Sequence, residues 1–196
     1  MNQERRDRLR DAAIGVLAES GSRGLTHRAV DAAADVPPGT TKNYFPTRDA
    51  LLRASAERIV ELYEAVPRPA PVDRAGLAAM LRTLLDHVRG PGRVRVLALL
   101  ELQREATRTP WLAAPLDAFA AADFTYFEEA QRSAGLPVTP QRAATVTMAL
   151  HAVLPHLVAE SPATRAAAGL DDLDAFARGL LDTVYGAPPP ARRPGA

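Results

Sequence analysis

Proline and glycine divide this chain into a small number of long, uninterrupted stretches, and that spacing constrains its fold more than any other feature. The 17 prolines and 12 glycines gather at 37–39, 67–71, 90–92, 135–140, 186–190 and 194–195, and alanine and leucine dominate what lies between. Proline removes a helical hydrogen bond and glycine is the commonest stop residue, so clusters of the two mark helix boundaries. Alanine and leucine lose the least on entering a helix. Alternating β-branched runs bounded by hairpin dipeptides are nowhere sustained, so an all-α fold follows.

With 196 residues, 47% of them hydrophobic, the chain is long enough for one good core or two small ones. Basic and acidic side chains nearly cancel to a net charge of +1, which excludes a polycationic coat or an acidic solvating tail. Cysteine is absent, so disulfides, thiol nucleophiles and thiolate metal sites are excluded. No run of about 18 apolar residues and no leader-like apolar segment is present. The expectation is a cytoplasmic protein with no membrane partner.

Helical patterns fall at 2–20, 27–34, 38–44, 47–66, 74–89, 92–108, 111–133, 139–159 and 171–185. Leu9, Ala13, Val16 and Leu17 recur on one face of the first, with Gly21 just past its end. Thr26 and Thr47 are placed to cap the second and fourth. Pro38 suits the first turn of the third, and Pro155 should kink or end the helix that contains it. Residues 187–196 are too poor in apolar side chains to pack and are expected to be a disordered tail. The expected organisation is a three-helix head over 1–48, then a helical body over 49–186 that the fourth helix joins to it.

Two short helices joined by a tight turn, the second opening Gly39-Thr40-Thr41-Lys42-Asn43-Tyr44, have the form of a helix-turn-helix. Small hydroxyls, an amide and one cation can reach base edges and phosphates without blocking the groove. From Arg5 to Leu52 the chain carries A-A-x-x-x-L-A-E-x-G, L-T-x-R-x-V-x-x-A-A, G-T-T-x-N-Y-F and x-R-D-A-L-L. In these four segments it resembles the DNA-binding domain of TetR-family transcriptional repressors. The later helices resemble that family's ligand-binding and dimerisation domain in length and helical content.

The resemblance implies phosphate contacts from Thr26 and Arg28, base and nearby backbone contacts from Thr40, Thr41, Lys42 and Asn43, and phosphate contacts from Tyr44 and Arg48. Phe45 is expected in the small core. Asp35 stands where the family commonly has Gly, Thr41 where it has Leu or Ile, and Lys42 where it has Tyr, so the reading face is more polar than usual. Residues 23–58 hold six basic and four acidic side chains. Such a modest surplus makes affinity depend on two copies acting together. Arg5, Arg6, Arg8 and Arg10, near the start of the first helix, are candidates for a minor-groove contact.

One short recognition helix reads only a few base pairs, so useful specificity implies a homodimer on a pseudo-palindromic double-stranded operator. Val146, Leu150, Val153 and Leu157, with Phe176, Leu180 and Val184, lie on the two final long helices, which in the resembling family form a four-helix bundle. A small-molecule effector is expected among the helices between. Glu101, Arg104, Trp111, Phe119, Phe127, Met148 and His151 are its candidate contacts.

Enzymatic readings have little to stand on. His27, His87, His151 and His156 are dispersed, and 151 and 156 are five apart, off the spacing of a helical metal pair. No Gly-rich phosphate loop or nucleophile elbow appears, and neither metal nor cofactor is implied. The expectation is an effector-released DNA-binding repressor rather than an enzyme. The rival is a helical interaction module that keeps the fold without reading DNA.

Overall fold

A computed structural model describes residues 2–68 and 70–187. These form ten helices and no strand: α1 (Gln3–Gly24), α2 (His27–Ala33), α3 (Thr40–Tyr44), α4 (Arg48–Glu64), α5 (Arg74–Arg89), α6 (Arg93–Ala106), α7 (Pro110–Ser133), α8 (Pro140–Ala159), α9 (Pro162–Ala167) and α10 (Leu173–Tyr185). Most of the tail expected at 187–196 lies outside the described residues.

Local chemistry sets the boundaries. Gly21, at φ 66° and ψ −176°, breaks α1 in a conformation open essentially only to glycine. The Thr26 and Thr47 hydroxyls accept from the amides of Ala29 and Ala50 at 3.1 and 3.0 Å. Pro38 belongs to the turn before α3, not to its first turn, and Gly39 at φ 89° caps that helix. Pro155 does not end α8, which runs on to Ala159. The short α9 interrupts what the sequence reads as a connection. Ser161 caps it through the Thr164 amide, and Pro162 opens it.

The chain forms two compact units, Met1–Arg68 with His87–Ala122, and Pro69–Asp86 with Asp123–Ala196. Position 48/49 therefore lies inside the first unit. The core of that unit joins Leu9, Ile14 and Leu17 of α1, Val30 of α2, Phe45 at the end of α3, Leu51, Leu52 and Ile59 of α4, Leu102 of α6, and Leu112 and Leu116 of α7. In the second unit Leu77, Leu81 and Leu85 of α5 are buried, as are Phe127 of α7, Val146, Leu150 and Leu157 of α8, and Leu173, Ala177 and Leu181 of α10. There Gln131 donates to the Phe127 carbonyl and accepts from the Tyr185 hydroxyl, both at 2.8 Å. Burial pushes the Tyr185 phenol up.

An ionic network ties α1 to α4. Arg10, 5% exposed, forks onto Glu61 at 2.6 and 3.0 Å, reaches Asp7 at 2.9 Å and donates to the Ala54 carbonyl. Arg58 forks onto Asp11 and adds a contact to Glu61. The Arg10 hydrogen bonds hold the Glu61 carboxyl below its ordinary value. Burial alone would raise Asp7, but Gln3 and Arg10 hold it low as well. Arg10 is thus a buried structural residue, which corrects its expected place at a minor groove. Arg8 lies against the Asp35 carbonyl, and the Arg6 guanidinium sits 4.9 Å from the centre of the Phe45 ring.

Candidate nucleic-acid interface

The geometry of α2, the following turn and α3 is built around one side chain, Asp31. The amide of Asp35 donates to the Ala32 carbonyl and that of Val36 to the Asp31 carbonyl, at 3.2 and 3.0 Å. Asp35 sits at φ 51°. This is the paired hydrogen bonding of a left-handed helix stop, with aspartate in the position glycine usually takes.

The Asp31 carboxylate then starts the next helix. It accepts from the amides of Gly39 and Thr41, both at 2.7 Å, and from the Thr41 hydroxyl at 2.6 Å. Burial alone would raise this carboxyl, but the three donors, with His27 nearby, hold it below its ordinary value. His27 also binds the Phe45 carbonyl at 2.6 Å, which fixes the far end of α3 to the start of α2. Phe45 itself is buried, as its place in the small core required.

Asp31, Asp7 and Glu61 share one direction of shift, and its consequence is testable. Each takes up a proton more readily in the unfolded chain than in the folded one. Each therefore contributes stability above about pH 4 that is lost as pH falls through the depressed folded values. The urea midpoint of the first unit is expected to hold between about pH 7 and pH 5 and to fall below about pH 4. A midpoint that rises on acidification contradicts this assignment.

The predicted DNA contacts divide into two sets. Thr26, Arg28, Lys42 and Asn43 are exposed, and Thr40 and Tyr44 half-buried. Among the described residues, the side chains of Arg28, Lys42 and Asn43 and the Tyr44 hydroxyl make no hydrogen bond or ion pair with the rest of the chain. Thr41 is a correction: it has no exposed surface, and its hydroxyl is committed to Asp31, so it holds the turn instead of facing a groove. Arg48 is exposed but engaged, donating to the Ser22 carbonyl and lying 3.9 Å from Glu105 of α6. Ser22 in turn donates to Glu105 at 2.7 Å.

The effector candidates are divided between the two units. In the first unit Glu101 is half-buried and pairs with exposed Arg104. Trp111 lies under the Arg53 guanidinium at 4.5 Å, and Phe119 packs on Tyr63 at 5.2 Å. In the second unit Phe127 is core and Met148 is 62% exposed, which corrects its expected place in an interior pocket. His151 binds Asp123 at 2.8 Å with Phe124 edge-on to its ring. Asp123 and Tyr63 carried no signal in the sequence beyond their residue type.

Three dimerisation candidates also need correcting. Val146, Leu150 and Leu157 are buried against their own chain, whereas Val153, Phe176, Leu180 and Val184 are half-buried. Beside them on α8 and α10, exposed Thr145, Ala152, Ala175, Gly179 and Thr183 are small side chains that hydrophobic periodicity passes over, and Met148, Pro155, His156 and Arg178 are larger exposed ones.

Residues 72–183 match a family model described as "Tetracyclin repressor-like, C-terminal domain". The chain is 37% identical over 87 residues to an uncharacterized HTH-type transcriptional regulator in the dhlA 5' region of Xanthobacter autotrophicus, covering 41% of this chain and 43% of that one. It is 37% identical over 76 residues to the HTH-type transcriptional repressor KstR of Mycolicibacterium smegmatis, covering 39% and 35%. The chain thus spans less than half the length of these curated relatives. Among solved structures, the multidrug binding protein EbrR complexed with ethidium superposes with a TM-score of 0.64 at 28% identity, over 93% of this chain and 99% of EbrR. No described helix is long and apolar enough to cross a membrane, and the described residues contain no group of three or more His, Asp or Glu placed to hold a metal ion.

Proposed function

Because the chain belongs to the TetR family of DNA-binding transcriptional regulators, we propose that it is a homodimeric repressor that reads a pseudo-palindromic operator and is released by a small-molecule effector. One observation carries the DNA-facing part. Asp31 pins a five-residue helix at its start, and the side chains of Lys42 and Asn43 and the Tyr44 hydroxyl are left clear of internal bonds. Residues 1–48 act as the reading head, with Thr26 and Arg28 meeting phosphates, and 49–186 as the body that pairs and senses. A partner of this kind sets the working location in the cytoplasm.

A second copy supplies the second head. The small exposed side chains of α8 and α10, flanked by half-buried Val153, Phe176, Leu180 and Val184, support a close helix-to-helix approach. EbrR is a multidrug binding protein solved in complex with ethidium, and that likeness supports an effector site in this chain as well. An effector acts only through different affinities for two arrangements of the heads, and α4 is the element that can carry that difference. Sedimentation equilibrium at micromolar concentration should give twice the chain mass. A monomer there removes the symmetric reader.

Selection from random double-stranded fragments tests the whole reading and should enrich one palindromic sequence. Thr40→Ala and Asn43→Ala are expected to weaken binding by roughly 1–3 kcal/mol for each lost contact and to relax preference at particular bases. Lys42→Ala should weaken binding and reduce its salt dependence. If no sequence is enriched at low salt, the chain is the interaction module and not a repressor.

A further inference from the structure

The chain carries a single lysine, Lys42, and every other one of its 24 basic side chains is an arginine. That lysine lies in the middle of α3 and is exposed. Several other cations of the first unit are held: Arg10 and Arg58 by carboxylates, Arg48 by Ser22 and Glu105, Arg8 by the Asp35 carbonyl, and Arg53 on the Trp111 ring. Lys42 has no such partner among the described residues. The helix itself contains no acid, and the Asp31 carboxylate at its start already accepts from three donors.

Guanidinium and ammonium differ in one respect that matters at this position. Arginine stays protonated under ordinary conditions and its charge is delocalised, whereas the neutral fraction of a lysine amine is a nucleophile. We propose that Lys42 is an acyl-acceptor site, through which an activated acyl donor, an acyl phosphate or an acyl thioester, removes the cation of the reading helix and weakens DNA binding. This rests on the DNA-facing role of α3 given above.

In the reaction the neutral Nζ attacks the acyl carbonyl carbon and a C–N amide bond forms. The C–O bond to phosphate, or the C–S bond to the thiol, breaks and takes the electron pair. The surplus amine proton passes to solvent, and nothing is oxidised or reduced. The product has lost one positive charge and two of the three N–H donors of the ammonium. Since no other side chain in the sequence is an amine, acylation of side-chain amines has a single address, and it lies on the surface that meets DNA.

The test uses the whole chain, with acetyl phosphate in one arm and acetyl-CoA in another, followed by peptide mass spectrometry and by affinity for the selected fragment. Acetyl-Lys42 is expected to accumulate in at least one arm, which identifies the donor class, and to form more slowly when the DNA fragment is bound. Modified protein should bind roughly tenfold or more weakly, and its salt slope should fall by about 0.9 per acetylated chain in contact with a phosphate. Treated K42R should bind as untreated K42R does, whatever its own affinity. The proposal is overturned if Lys42 stays unmodified while a lysine peptide in the same tube is acetylated. It is also overturned if full modification leaves affinity unchanged, if bound DNA gives no protection, or if K42R loses affinity on treatment as the parent does. Untreated protein that enriches no DNA sinks the repressor reading instead, and the mass spectrum still reports on the amine.

Discussion

Asp31→Ala should destabilise the first unit by about 3–5 kcal/mol, the largest effect of any single substitution considered for the head. The change leaves the Thr41 amide and hydroxyl without their acceptor at a buried position, and takes from the exposed Gly39 amide its partner. A buried donor left unsatisfied costs about 1–3 kcal/mol, and water admitted to the space can recover only part of that. Asp31→Asn keeps the shape but replaces one accepting oxygen with a donor, so about half the loss is expected. The chain's one tryptophan, Trp111, belongs to this unit and reports its unfolding in urea. An Asp31→Ala protein within about 1 kcal/mol of the parent would mean that the carboxylate is not what holds α3.

The second large loss is expected at Arg10. Arg10→Ala removes the two buried methylenes beyond Cβ, about 1.6 kcal/mol of apolar burial at roughly 0.8 kcal/mol each. It also removes the fork that joins Glu61 and Asp7 across α1 and α4. Glu61 is half exposed and retains Arg58, so the full penalty of a stranded buried charge does not apply. A total near 3 kcal/mol follows. Arg10→Met restores the packing and should recover about half. Arg10→Lys should recover less of the fork, because a point charge cannot span both oxygens of Glu61 while donating to the Ala54 carbonyl. Urea midpoints at neutral pH rank the three. If Lys matches the parent, the fork contributes nothing beyond its charge.

Most helices were legible from the sequence because their ends are decided locally. Thr26, Thr47 and Gly21 cap or break helices through bonds and torsions within a few residues of themselves. What failed depends on distance. α9 has no apolar face and so no periodicity, and only the Ser161-Pro162 pair gave it away. Asp31 meets Thr41 ten residues later, across a turn whose path no short-range rule supplies. Thr41 did carry a signal, since it stands where the resembling family keeps Leu or Ile, types that belong in a core. Period 3.6 identified Val146, Leu150 and Leu157 as an apolar face without saying which surface covers it. The exposed Ala152, Ala175 and Gly179 are too small to register as a face at all.

The brevity of α3 ties recognition to temperature. Five residues make barely one turn, and an isolated helix of that length does not form in water because nucleation outweighs propagation. Its shape is borrowed from Asp31, His27 and the core under Phe45. The surface proposed to meet DNA therefore melts together with α1 and α4, and warming should abolish binding sharply near the unfolding midpoint of the first unit, not weaken it gradually across the range below.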